Sequence, residues 1–528
     1  MKKIFNTIIL SLVILGTYSC SDYLEEKVYT KPSIDYLIST PAGMASCVLA
    51  MYYQERNFYY DNSSTYFMNM CIGSDIQYVR AGEGVPTIGR YVTLTSGNSF
   101  AGEVWSHFYA NVGYANLVVN TAQKVDMTDP VAIKALAEAK AFRAYSYFWL
   151  LRKFDRIYLT TRVTTPENVN DSITYTPAVP DSVYKLINED LDYAIEHLSW
   201  TTNQSGRFTQ GVVRHIKAKV AACQQNWQEV ASQVNAIEKS GVYSLVALED
   251  IFKGTNLNHK EAIFVSQWDQ SIGGANMTSS GAINGHQLSL HFIPTYNMEK
   301  GMVMALDQGG YPWGRLFPNT YLLSLYNKSV DKRYKVFYKT AWTYNDPLSI
   351  PRGKKVGDTI VAVNSAQFLN VHPACMKYDD PTRPTAQATR SYKDIIIYRL
   401  AETYLMGAEA YLHLGKADST AYYYNKTWVR AGNLPVAPGT VTFDMIVDEN
   451  ARELAFEGDR WFFLKRNGIL VERTRLHGGE YLKNAQGVVL NNDTIIRQNI
   501  QPFHVRLPIP TNQILQMGAQ NFPQNEGY

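Results

Sequence analysis

A pair of carboxylates is a familiar route to glycoside hydrolysis, and Glu453 and Glu457 lie four apart in the run 448–466, DENARELAFEGDRWFFLKR. Arg452 and Arg460 flank them. Cations beside both acids depress their pKa values, which removes the raised pKa a general acid needs. The block therefore reads as ion-paired scaffold, with Gly458 breaking the helix so that Trp461 and Phe462 turn inward. Metal signatures are missing: ten histidines are scattered, His286 and His291 stand five apart in a loop-like stretch, and there is no Cys-x-x-Cys. Gly82-Glu83-Gly84 does not continue into a dinucleotide fingerprint, Gly353-Lys354-Lys355 is no phosphate loop, and no Gly-x-Ser-x-Gly elbow occurs. Asp379-Asp380 and Asn345-Asp346 offer oxygen ligands for calcium without an EF-hand spacing, so solvated turns are expected there and no cofactor. What remains are two loop clusters that mix aromatic faces with polar groups. One holds Asp75, Gln77, Tyr78 and Arg80. The other holds Tyr311 and Trp313, then Trp342 and Tyr344 beside Asn345 and Asp346.

The elements that carry these clusters follow from periodicity. Apolar residues recur at three- and four-residue spacing over 42–55, 104–123, 130–154, 181–198, 211–225 and 227–239, predicting helices. Ala408, Tyr411 and Gly415, followed by Ala421, have the small–large spacing of tetratricopeptide-type hairpins, and Ala141, Ala144 and Tyr147 repeat it. The predicted fold is mostly α, a helical-hairpin repeat scaffold with a large loop-rich insert and a few short strands. Between 251 and 395 the period collapses into stretches rich in Gly, Pro, Asn and Asp, with 261–268 as a short strand. Tryptophans and tyrosines in that insert point to binding rather than disorder.

The N-terminus adds a destination. Met1-Lys2-Lys3, an apolar run over 4–16 and small residues before Cys20 describe a secretory signal peptide over 1–19. Thr17-Tyr18-Ser19-Cys20 resembles a bacterial lipobox, which implies that Cys20 is lipidated and that 20–40 is a tether. The remaining cysteines, Cys47, Cys71, Cys223 and Cys375, are expected as buried free thiols. Removing 1–19 lowers the formal charge from +3 by its two lysines to +1, which disfavours nucleic acid as partner. The chain carries 37 tyrosines, nine tryptophans and 21 phenylalanines, an excess that suits sugars and protein interfaces alike.

Three segments are similar to the RagB/SusD family of outer-membrane nutrient-binding lipoproteins: AEAKAFRAYSYFWLLRKF at 137–154, the 448–466 block, and LPIP at 507–510 with QNEGY at 524–528. Asp155, Phe463, Gln513 and Glu526 depart from the family's usual residues at scaffold positions. The resemblance implies a helical-repeat half at 41–250, a ligand-binding insert at 251–395 and a C-terminal helical-repeat and signature region at 396–528. It also implies non-catalytic capture of an oligo- or polysaccharide outside the cell, for a SusC-like TonB-dependent transporter. The expected glycan-binding residues are Asp75, Tyr78, Arg80, Tyr311, Trp313 and Trp342: the rings as stacking faces, Asp75 and Arg80 as anchors for hydroxyls. Capture of peptides for a related importer, or a surface assembly role without a small ligand, are the alternatives.

Overall fold

The computed structural model describes residues 39–60, 72–80, 86–92, 94–164, 168–269 and 285–528, so the signal segment, Cys20, most of the tether and Cys71 lie outside the described residues. Helices dominate: α1 (Pro41–Tyr60), α2 (Ser99–Thr121), α3 (Pro130–Phe154), α4 (Pro180–His197), α5 (Gln210–Cys223) and α6 (Trp227–Lys239) fill the N-terminal half. Their starts are written in the sequence. Asn98 accepts from Phe100 N at 3.0 Å to open α2, and Asp129 accepts from Val131 N at 2.7 Å with Pro130 in the first turn of α3. Asn226 does the same for α6, accepting from Glu229 N.

Helix α3 is the spine. It packs on α1, α2 and α4, and alanines at 137, 139, 141 and 144 let those neighbours close in on it. Its two embedded charges are paired: Arg143 forks Asp190 of α4 at 2.7 and 2.9 Å, and Glu138 takes Arg207. Trp105, Trp149 and Trp461 are all core. Late in the loop-rich stretch comes α7 (Ser365–Asn370), and after it the hairpin α8 (Leu400–His413) and α9 (Ala417–Arg430), then α10 (Phe443–Leu454) and α11 (Arg460–Arg466). Gly415 makes the α8–α9 turn at φ +67°.

Short strands, paired two by two, bind mostly distant segments. β1 (Gln77–Val79) pairs antiparallel with β3 (Leu316–Pro318), β2 (Ala262–Ser266) with β4 (Ile395–Arg399), and β5 (Glu480–Lys483) with β6 (Val489–Asp493). The C-terminus folds back onto the spine, where Asn525 donates to Phe154 O at 2.6 Å and to Leu507 O at 2.8 Å.

The acids of 448–466 are structural, and their partners come mostly from elsewhere in the chain. Glu453 accepts from Arg399 at 2.6 Å, from Arg333 at 2.9 Å and from Arg430. Burial pushes its pKa up, but Arg430, Arg399 and Arg333 outweigh that and hold it well below the carboxylate range. Glu457 takes Arg399 and Lys377. Cys47 and Cys375 are buried free thiols; Cys223 is free and half-buried.

Candidate functional site

The turn at 309–315 carries two aromatic side chains that stay half-open to solvent, Tyr311 and Trp313. Backbone bonds fix it: Trp313 N donates to Leu290 O and Arg315 N to His291 O, both at 2.9 Å. Gly310 sits at φ +69°, and a Cβ there would fall 2.7 Å from the Arg383 guanidinium that supports the turn by donating to Gly309 O. The Trp313 ring meets His291 edge-on at 5.0 Å, with the Arg315 guanidinium over its face at 4.5 Å.

Arg80 joins this group through the backbone. Its N–H donates to Arg315 O at 3.0 Å, continuing the β1–β3 ladder, and its side chain donates to Thr295 at 3.3 Å. Thr295 in turn donates to Asn370 of α7 at 2.8 Å. The structure thus brings Arg80 and Trp313 together from opposite ends of a 233-residue separation in sequence.

Three of the expected ligand residues are not available. Asp75 is fully buried and forked by Arg460 at 2.9 and 2.6 Å, with Arg473 at 3.3 Å. Burial raises its pKa, yet Arg460 and Arg473 prevail and hold it below the usual value. It ties β1 to α11 and has no face for a sugar hydroxyl. Tyr78 is 4% exposed, its ring packed near-parallel beside the stacked Phe317–His372 pair. Trp342 is 1% exposed, stacked on Tyr296 at 5.1 Å, and its indole N–H is spent on His372 O. It fills a second small core with Ile293, Met302 and Tyr344. Of the oxygen pairs, Asp346 accepts from Leu348 N and Ser349 in a partly exposed turn, whereas Asp380 is buried rather than solvated, accepting from Thr382 and Ser391. Among the described residues no cluster of three or more His, Cys, Asp or Glu is placed to hold a metal ion.

Two clefts adjoin this group. One, of about 520 Å³, lies between α7 and β6 and is lined by Arg90, Asn491, Asn492, Asp493, Gln498 and one edge of Tyr78. Arg90 pairs with Asp493 at 2.7 Å, both partly exposed. Sequence reasoning missed this wall, although Asn491-Asn492-Asp493 is a polar run closing a hairpin. The other, of about 380 Å³, includes Arg383 beneath the 309–315 turn, with Trp268 and Tyr392. Amides, paired charges and a few aromatic rings suit a ligand with many hydroxyls and weakly polar faces.

Residues 366–528 match the SusD family. A SusD-like protein of Bacteroides ovatus is 25% identical over 68% of this chain and 64% of its own length. A SusD-like protein of Formosa agariphila is 22% identical over 97% of both chains. A laminarin-binding SusD-like protein of known structure shares the fold, with a TM-score of 0.70 at 21% identity over 93% of this chain and 100% of that one. The C-terminal block at 366–528 is thus that of the SusD family, and over nearly its whole length the chain is similar to SusD-like proteins.

Proposed function

We propose that the protein captures an oligo- or polysaccharide at the outer face of the outer membrane and passes it uncleaved to a SusC-like TonB-dependent transporter. The observation that carries this reading is the half-open Trp313 ring under the Arg315 guanidinium, on a turn to which Arg80 is tied through its backbone. Trp313 and Tyr311 supply stacking faces, and Arg80 donates to ring hydroxyls. The known specificity of one structural neighbour for laminarin supports a glycan as cargo.

Calorimetric titration of the mature protein with neutral and acidic oligosaccharides, laminari-oligosaccharides included, tests the reading. Trp313→Ala should weaken the ligand that binds by about 2 kcal/mol or more while leaving the melting temperature within a few degrees of wild type. Unchanged affinity would remove Trp313 from the site.

Anchoring is tested separately. Cys20 as the lipid attachment point predicts that Cys20→Ala moves the protein from the membrane to the soluble fraction. An acyl-bearing cysteine contributes roughly 0.8 kcal/mol of membrane affinity per buried methylene, so its loss should be near complete. Retention of the variant in the membrane fraction would refute the lipoprotein reading. Among the described residues no helix is long and apolar enough to replace that anchor.

A further inference from the structure

The turns of two helical hairpins are built differently. Gly415 joins α8 to α9 at φ +67°, whereas Gln225 takes φ +56° between α5 and α6. A side chain in that left-handed region is strained, and glycine is the usual residue there. The other non-glycine residues with positive φ among the described residues have contacts that offset the strain. The Tyr91 hydroxyl donates to Gly73 O at 2.7 Å, Asp155 accepts from Lys465 at 2.6 Å, and Phe456 packs on Phe292. Gln225 is exposed, and its side-chain amide has no hydrogen-bond partner among the described residues. Strain kept without an internal contact points to an external one.

Gln225 lines a cleft of about 400 Å³ that shares no residue with the two clefts near Trp313. One wall is aromatic. The exposed His413 ring lies on the half-buried Trp227 ring at 4.1 Å with the planes 6° apart, and Phe443 stands 6.2 Å from His413. Neither the Trp227 indole N–H nor the His413 imidazole has a hydrogen-bond partner among the described residues. Trp268, Trp342, Trp428 and Trp461 differ, their N–H groups donating to Ser266, His372, Leu434 and Tyr91. Across the cleft Arg466 forks Glu409, with one bond at 2.6 Å, and Asn467 donates to Glu409 at 3.2 Å. The arginine of this cleft is thus neutralised from within, and an anion gains little there.

We infer that this cleft is a second saccharide subsite, which takes a neutral sugar ring on the His413–Trp227 stack with the Gln225 amide at its hydroxyls. Flat rings suit the weakly polar C–H faces of a sugar, and unpaired amide, imidazole and indole groups suit its hydroxyls. The choice of a sugar rests on the glycan-capture reading, but the site stands apart from Trp313. Two sites on one chain hold a long glycan at two points, which slows its loss from the surface.

The experiment follows the indole N–H resonances of mature protein carrying isotope-labelled tryptophan, assigned through Trp227→Phe and Trp313→Phe. The probes are laminarihexaose, maltohexaose and a xyloglucan heptasaccharide. At least one should shift the Trp227 resonance, and should still do so in Trp313→Ala. Gln225→Gly should weaken that response about tenfold while the melting temperature holds or rises, because glycine relieves the strained turn. His413→Ala, at an exposed position, should weaken it similarly and melt within a few degrees of wild type. Sugars that shift Trp313 and leave Trp227 in place overturn the second subsite and leave glycan capture standing. A Trp227 response that either Gln225→Gly or His413→Ala leaves unchanged also overturns it. A response at Trp227 alone supports the subsite and removes Trp313 from the capture reading. Silence at both resonances with every sugar overturns both.

Discussion

Trp342→Ala is expected to lower the melting temperature sharply and to leave the glycan affinity of the folded fraction as it was. The ring lies in the small core around Ile293, Tyr296, Met302 and Tyr344, and its N–H satisfies His372 O at 3.1 Å. Cutting it to alanine removes a large apolar surface, leaves a cavity and strands a buried carbonyl; such changes cost roughly 3–5 kcal/mol of folding free energy. Thermal melting and titration on the same preparation check this. A normal melt with lost binding would return Trp342 to the ligand site. Trp313→Ala should show the opposite pattern, so the two variants together separate stacking face from packing.

Glu453→Gln should be comparably damaging. The carboxylate is fully buried and shared by Arg333, Arg399 and Arg430, and removing its charge leaves those guanidiniums mutually repelling in the interior. Breaking such a buried network costs about 3–5 kcal/mol. The pH dependence follows from the depressed pKa of Glu453. Its contribution to stability is complete above the unfolded value of about 4.3 and is lost as pH falls from there toward the lower folded value. Asp75, also depressed, acts in the same direction. Urea denaturation at pH 7 should show the loss in Glu453→Gln. Wild type should hold its midpoint from pH 7 to about 5 and weaken below about 4. A Glu453→Gln midpoint equal to wild type would mean that the network is dispensable.

How far the sequence could be read depended on whether the signal was local. Helix α3 is legible at both ends because Asp129-Pro130 writes its start and the apolar period runs unbroken to Phe154. The scaffold role of Glu453 was legible but its partners were not: the flanking Arg452 and Arg460 go to Glu449 and Asp75, while Arg333, Arg399 and Arg430 reach Glu453 from afar. The site was legible only in part. Trp342 and Tyr344 stand among Asn, Asp, Pro and Gly, which signal a turn, but a turn's composition says nothing of what its side chains lie against. Asp75 looked like an exposed loop acid because its partner, Arg460, is 385 positions away. The Arg90–Asp493 wall was missed for the same reason, its members standing 403 positions apart.

The return of the C-terminal residues to the end of α3 bears on how the chain acquires its structure. Asn525 closes the Phe154 and Leu507 carbonyls, and Arg156 donates to Gln524 O at 2.9 Å across 368 positions. Contacts of such sequence separation carry a high loop-closure cost and form late, so folding of this chain is slow and non-local. The end of α3 cannot complete its contacts until the last residues have been made, and a deletion of only the final few residues would be felt at the spine.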